Sequence, residues 1–259
     1  MNRDMNILAI DLGNTNVALG FFIANNLDNH WRLSTNHNRM GDEFGVQFNQ
    51  LLDNRGIQKS DIDGIVLSSV VPLLTERIVF ACENYLGTAP LVVSADMKLN
   101  VTIGYDDPHA VGADRIADAV AATAEFSPPA CVIDFGTATT FNAINSEKIY
   151  LGGAILPGIG LSADALFQRT AKLISVELKA PPSIIGRNTR HAIQSGLIYG
   201  YVALVEGMVE NFKRELGEGT TIIATGGHVE RISGHTKAID YVKPWLTLDG
   251  LRIIWEMNR

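Results

Sequence analysis

The sequence predicts an α/β protein made of two duplicated halves, and three observations carry that prediction. Short apolar, β-branched runs alternate with helical stretches along the whole chain. An apolar strand closing on Ile-Asp-x-Gly occurs twice, as Ala9-Ile10-Asp11-Leu12-Gly13-Asn14 and as Val132-Ile133-Asp134-Phe135-Gly136-Thr137. Each copy leads into a second apolar strand, and their separation far exceeds the ~20–50-residue period of a solenoid. Between the copies, Ser127-Pro128-Pro129 breaks a helix. The 259 residues therefore divide into 1–126 and 127–259, each half long enough to bury its own core.

The elements follow in order. Residues 6–11 read as a buried strand, Gly13-Asn14-Thr15 as a turn and Asn16–Ile23 as a second strand. Asn25-Asn26 with Asp28-Asn29 mark a further turn, and Trp31–Leu33 supplies a third antiparallel strand. Asp42 or Glu43 opens a helix carrying Phe44, Phe48, Leu51 and Leu52, which Gly56 ends. Ile65–Val71 is a strand, Pro72 starts a helix running to Leu86-Gly87, and Leu91–Val93 is a short strand. A loop at 104–109 precedes a helix from about Ala113 to Ala124. The second half continues with strands at Thr140–Ile144 and Ile149–Ile155, a helix after Gly158, a long helix from Thr189 to Leu216, a strand at Thr221–Thr225 and a last helix near Leu246–Glu256.

Composition narrows the function. A hydrophobic fraction of 46% is that of a globular protein rather than a disordered one. The net charge of −7, with no cluster of Lys and Arg, argues against a nucleic-acid partner. Cys82 and Cys131 lack CxxC spacing, and the six histidines form no HxxxH or HExxH pair, so neither a disulfide framework nor a zinc site is expected. The run after Met1-Asn2-Arg3-Asp4 is too short for an export signal. The longest apolar stretches, such as Ile65–Leu74, fall below the ~18–20 residues that span a bilayer. The expectation is a cytoplasmic protein with no membrane partner.

The two Asp-x-Gly turns are the centre of the chemistry. A turn between strands points backbone N–H groups outward, Gly lets an anion approach closely, and Asn or Thr adds donors. A carboxylate at the strand end, such as Asp11, can hold Mg²⁺. One such turn is an ordinary hairpin; a pair in duplicated context, with Thr15 in one and Thr137 and Thr139 in the other, points to two phosphate-facing turns. Gly112-Ala113-Asp114-Arg115 places a carboxylate and a guanidinium in a first helical turn. The helix dipole alone accounts for an Asp there; beside a substrate hydroxyl, Asp114 would also serve as a general base, and Arg115 as a fork for a carboxylate. Thr225-Gly226-Gly227 ends an apolar strand, where glycines let adenine lie on backbone, although spacing alone equally allows a plain strand-to-helix turn. Gly158-Ile159-Gly160-Leu161-Ser162-Ala163 matches GxGxxA, yet Pro157 precedes it and no acidic strand end follows at the right distance, so a dinucleotide site is rejected. No Gly-Lys dipeptide exists, which excludes a Walker A loop.

Asp11-Leu12-Gly13-Asn14-Thr15, Gly112-Ala113-Asp114-Arg115, Asp134 to Thr140, Gly152 to Gly158, Gly186-Arg187-Asn188-Thr189 and Ser195-Gly196 occur in the order seen in type III pantothenate kinases. The chain thus resembles that family, a branch of the acetate and sugar kinase, heat-shock chaperone and actin superfamily. The resemblance runs from residue 11 to about 227. It implies duplicated ribonuclease-H-like (actin-like ATPase) domains with a nucleotide cleft between them, and ATP-dependent phosphorylation of pantothenate, the first step toward coenzyme A. By position, Asp11, Gly13, Asn14, Thr15 and Asn16 would meet ATP phosphates and Mg²⁺, with Thr137, Gly226 and Gly227 also on ATP. Asp114 would be the base. Tyr105, Gly112, Ala113, Arg115 and Thr189 would line the pantothenate site, and Asp134 would hold K⁺ or NH₄⁺. A homodimer is also implied. Arg187 stands where Lys is expected, which keeps the charge and changes the shape. The rival readings are a catalytically silent regulatory protein or another small-molecule kinase on the same scaffold.

Overall fold

Strand β1 (Asn6–Leu12) lies at the centre of the first sheet of the computed structural model, which describes residues 5–169 and 174–259. Residues 1–4, which precede the apolar run weighed above as an export signal, lie outside the described residues; that run itself forms β1. β1 pairs antiparallel with β2 (Asn16–Ile23), and β2 with β3 (Asn26–Ser34). On its other side β1 runs parallel to β4 (Gly64–Ser69), which pairs with the short β5 (Leu91–Val92). The order is β3-β2-β1-β4-β5.

Alternation along the strands decides which side chains face which layer. Leu8, Ile10 and Leu12 of β1 and Ile65 and Leu67 of β4 form a core with Phe44 and Phe48 of α1 (Gly41–Asp53) and Leu74 and Ile78 of α2 (Pro72–Ala81). Each fully buried side chain of this kind contributes about 1.5–3 kcal/mol. The opposite face carries α7 (Leu246–Asn258), and α3 (Ala113–Glu125) packs against α7. Trp255 of α7 lies over Gly64, and a Cβ on Gly250 would sit 1.9 Å from the Ala117 carbonyl oxygen, so the two helices cross backbone on backbone. Thr247 Oγ1 donates to the buried Asp118 of α3 at 2.8 Å, a second tie between them.

The second sheet repeats the plan. β7 (Ala130–Phe135) is flanked by antiparallel β8 (Ala138–Ile144), itself paired with β9 (Ile149–Pro157), and on its other side by parallel β10 (Thr221–Thr225) and the short β11 (Tyr241–Val242). A two-residue strand, β6 (Thr102–Ile103), is added outside β9. α4 (Ile159–Gln168), α5 (Thr189–Leu216) and α6 (Val229–Ser233) complete this unit. Both sheets thus share one plan: a central strand that leads into a two-strand antiparallel meander on one side and is flanked by two successive parallel pairings on the other. α5 is long and apolar enough to cross a membrane by length and composition. It instead buries Ile198, Tyr201, Val202, Val205 and Val209 against Phe141 and Ile222, as a core helix does.

By contacts the chain forms two units: 1–100 with 106–121 and 246–259, and 101–105 with 122–245. This differs from the division at 126/127 in three places: 101–105, whose β6 pairs with β9, and 122–126 belong with the second unit, and the last helix belongs with the first, because Leu246, Leu248, Leu251 and Ile254 are buried on its sheet side. Two smaller differences concern polar residues. The turn expected at Asp28-Asn29 is strand; the hairpin turns earlier, where Ala24 has φ 52°, and β3 runs from Asn26 with an irregularity opposite Phe21/Phe22. The helix after Pro72 widens to a π turn over Cys82–Leu86 before Gly87 (φ 76°) stops it.

Candidate active site

The first Asp-x-Gly turn sits where β1 ends. Asp11 is half-buried, and Asn14, Thr15 and Asn16 are exposed. The turn closes through Gly13 N–H to the Asn16 carbonyl at 3.0 Å. Thr35, just past β3, fastens it from outside: its Oγ1 donates to the Gly13 carbonyl at 2.7 Å, and its N–H to the Thr15 carbonyl at 2.8 Å. Residues 14–16 thus lie exposed on a fixed backbone, and a turn of this kind can receive a phosphate. Across the parallel ladder, Asp11 is in register with Ser68 of β4. Ser68 is fully buried, and its hydroxyl has no hydrogen-bond partner among the described residues.

Asp114 occupies the first turn of α3. Its Oδ1 accepts the Arg115 N–H at 2.8 Å and lies against Gly112, where a Cβ would come within 2.5 Å of it. Val70, at the end of β4, touches the same glycine. Surrounding protein raises the Asp114 pKa above the usual carboxylate range, chiefly by desolvation, against the lowering effect of the Arg115 N–H and guanidinium. Arg115 is itself buried. A half-buried carboxylate with a raised pKa at a helix start has the properties of a general base.

The second turn is built differently. The Asp134 carboxylate is wedged between two glycines: a Cβ on Gly226 would lie 2.2 Å from its Oδ1, and one on Gly136 3.4 Å from its Oδ2. Gly226 has φ 96°, which side chains rarely adopt. The His228 N–H donates to the Phe135 carbonyl at 3.1 Å, so the Gly226-Gly227 loop is stitched to the Asp134 turn. On the other side Gly158 N–H donates to the Thr137 carbonyl at 3.0 Å. Tyr201 of α5 then ties both flanks together: its hydroxyl donates to Thr139 Oγ1 and lies 3.1 Å from the Pro157 carbonyl.

The structure therefore brings Asp134, Thr137, Gly226 and Gly227 together within the second unit. Tyr105 also belongs to that unit, its ring packed on Gly152 and 6.4 Å from the Tyr150 ring. Thr189 is the first residue of α5, after Asn188, whose Oδ1 accepts the His191 N–H at 2.9 Å. A concavity of about 550 Å³ opens there, lined by Leu166, Arg187, Thr189 and Ile193 among others. Asp11 to Asn16 and Gly112 to Arg115 belong to the first unit.

Sequence reasoning missed Thr35, Ser68 and Tyr201. Nothing in sequence ties Thr35 to Gly13. Ser68-Ser69 at the end of an apolar strand was a readable signal, since hydroxyls there interrupt a buried run. Tyr201 sits at a buried helical position, where a pattern shows burial and not the bond it makes.

Among the described residues no group of three or more His, Cys, Asp or Glu forms a metal cluster. The oxygen donors suit hard cations all the same. Asp11, at a strand end beside exposed Asn and Thr, fits a magnesium ion carried by a triphosphate. Asp134, whose carboxylate lies against Gly136 and Gly226, is a second oxygen donor of this kind.

The sequence model of the type III pantothenate kinase family matches residues 7–211. A type III pantothenate kinase of Roseiflexus sp. (strain RS-1) is 48% identical over 253 residues, 98% of this chain and 99% of the relative. One from Bacillus cytotoxicus is 46% identical over 97% of this chain and 96% of its own. Among solved structures, a Baf family transcriptional activator from Campylobacter jejuni superposes with TM-score 0.61 at 21% identity, covering 96% of this chain and 97% of the other. An inorganic polyphosphate/ATP-glucomannokinase from Arthrobacter superposes with TM-score 0.51 at 13% identity, covering 98% and 99%. At these identities the structures show the fold, that of the duplicated ribonuclease-H-like, actin-like kinases.

Proposed function

We propose how this chain, which belongs to the type III pantothenate kinase family, phosphorylates pantothenate in the first step toward coenzyme A. The reaction is ATP-dependent phosphoryl transfer with a divalent metal. The single observation that carries the residue-level reading is the Asp114 carboxylate, held over Gly112 by the Arg115 N–H in a setting that raises its pKa.

In this reading Asp114 accepts the proton of the pantothenate hydroxyl as that oxygen bonds to the γ-phosphorus and ADP leaves. The transition state is loose, so the proton moves late and positioning supplies most of the acceleration. Arg115 pairs with the pantothenate carboxylate, and Tyr105, Gly112, Ala113 and Thr189 shape its site. The first unit offers Gly13 to Asn16 as phosphate donors, with Asp11 toward Mg²⁺; the second offers Thr137 to the nucleotide and Gly226-Gly227 to adenine. Bound at Asp134, K⁺ or NH₄⁺ would supply fixed positive charge in a chain without a P-loop lysine. The protein works as a homodimer in the cytoplasm. Exposed Leu161, Phe167, Ile184 and Ile185 in the second unit support the dimer, as apolar surface that a second copy would cover.

The test is ADP release from ATP and Mg²⁺, with and without pantothenate, in K⁺ and again in Na⁺. Pantothenate-dependent turnover that requires K⁺ supports the substrate and the cation site together. Equal turnover in both salts sinks the cation site, and turnover indifferent to pantothenate sinks the acceptor. Sedimentation velocity decides the dimer.

A further inference from the structure

We propose that Ser68 is a positioning residue for Asp11, its hydroxyl held in reserve for the carboxylate or for a water that the carboxylate holds when ATP and its metal arrive. The inference rests on the reading of Asp11 as the residue facing the metal.

Three observations carry it. The first is register: Asp11 and Ser68 are direct partners in the parallel β1–β4 ladder. Paired strands run about 4.8 Å apart, and register partners project on the same face. Leu8, Ile10 and Leu12, with Ile65 and Leu67, fill the core on one face, so alternation puts Asp11 and Ser68 on the other, the face of α7.

The second is the contrast between neighbouring serines. Ser69 is fully engaged: its hydroxyl meets Thr75 Oγ1 at 2.7 Å and accepts the Val71 N–H at 3.2 Å, fixing the start of α2. Ser68 is 0% exposed, and its hydroxyl makes no hydrogen bond among the described residues. Two other buried polar atoms lack partners among the described residues, Asn100 Oδ1 and Arg252 Nε, but each belongs to a side chain bonded through another atom. Of these three side chains, only that of Ser68 has no bond through any atom among the described residues. A buried hydroxyl without a partner is destabilising, and Ala would fit the same space. Its retention beside Asp11 has a reason if the bond forms only in the loaded enzyme.

The third is location. Asp11 and Ser68 lie at the carboxyl ends of two parallel strands, the place where open α/β sheets bind ligands. Val70, two residues on, touches Gly112, so the helix start bearing Asp114 stands at the same end. Groups that orient a metal-facing carboxylate typically cost 10–100-fold in metal affinity or activity when removed.

The experiment compares Ser68→Ala and Asp11→Asn with the wild-type chain. Three quantities are measured: the melting temperature without ligand, the KM for MgATP and the KM for pantothenate. For Ser68→Ala we expect a melting temperature equal to or above wild type, a KM for MgATP raised about 10-fold and an unchanged KM for pantothenate. A structural hydroxyl would give the opposite pattern. A lowered melting temperature, or unchanged kinetics, overturns the proposal, and so does a parallel rise in both KM values. Asp11→Asn separates the two layers of argument. If it leaves MgATP binding unchanged, the reading of Asp11 fails and the inference with it. If it weakens MgATP while Ser68→Ala does not, only the role of Ser68 fails.

Discussion

The two Asp-x-Gly turns begin with the same chemistry and end in different surroundings. The first stands open: residues 14–16 are exposed, and Thr35 is the clasp that fixes their backbone. The second is enclosed by the Gly226 loop, by the start of α4 at Gly158 and by the Tyr201 hydroxyl from α5. A duplicated scaffold can thus give its copies separate tasks. The open copy shares a unit with the candidate base, Asp114, and is suited to chemistry that changes in each turnover. The braced copy is suited to holding a nucleotide and a cation still. If that division is right, substitutions in the first unit strike kcat and those in the second strike binding and stability.

The largest effect falls on Asp114. Asp114→Asn should cost about 10²–10⁴-fold in kcat with the fold intact, and near-normal turnover would end its assignment as base. Its pH behaviour adds a sign test. Burial raises this carboxyl's pKa, so the base form is lost on the acid side at a higher pH than for an ordinary carboxylate, and kcat/KM should fall there. For stability, a raised folded-state pKa means the folded chain holds the proton longer. The stabilisation is then full below the unfolded-state pKa and is lost as pH rises through the folded one. Asn, neutral throughout, should therefore be more stable than Asp at neutral pH. Urea titrations at two pH values check this, and a less stable variant at neutral pH would contradict it.

Next in size is a direct contest between the turns. Gly226→Ala forces a side chain onto φ 96° and places its Cβ 2.2 Å from the Asp134 carboxylate. Strain of this kind costs about 1–3 kcal/mol before any overlap is relieved. Gly13→Ala meets only the Asn16 carbonyl oxygen, at 3.1 Å, and should cost under about 1 kcal/mol. Equal losses in urea unfolding would break the comparison. A milder probe is Asp134→Asn: we expect turnover to become indifferent to K⁺ against Na⁺ while the melting temperature moves little. Preserved K⁺ dependence would move the cation elsewhere.

The sequence made the frame of this molecule readable and left its fastenings hidden, for physical reasons. Both Ile-Asp-x-Gly turns, the glycine after β10 and the Gly-Ala-Asp-Arg helix start are local signals, written in consecutive residues. Apolar alternation likewise marked the central strands. Two edge pieces were lost: β6 and β11 are two residues each, too short for any period. The third strand was read at Trp31–Leu33, but its first half was hidden behind Asp28 and Asn29, residues ordinarily depleted in strands. Placing the last helix with the second half failed because partner choice is a property of packing. Gly250 against Ala117 and Trp255 against Gly64 are matches of shape between distant residues. Thr35 and Tyr201 were invisible in the same way, since each bonds to groups far away in sequence.

The smallest expected effect tests the brace itself. Tyr201 is buried, and its hydroxyl meets Thr139 Oγ1 and the Pro157 carbonyl. Tyr201→Phe keeps the ring and its packing on Phe141 and Val205 while removing only those bonds. With about 0.5–1.5 kcal/mol for each hydrogen bond, a loss near 1–2 kcal/mol in urea unfolding is expected. Thr139→Val removes the shared acceptor from the other side, so the pair should be non-additive, because either change alone already breaks the bond. Additive losses would mean that the two residues act separately and that the enclosure of the second turn is a matter of packing. Non-additive losses accompanied by a raised KM for ATP would show that the brace acts on nucleotide binding as well as on stability, which is the distinction between the two turns in its sharpest form.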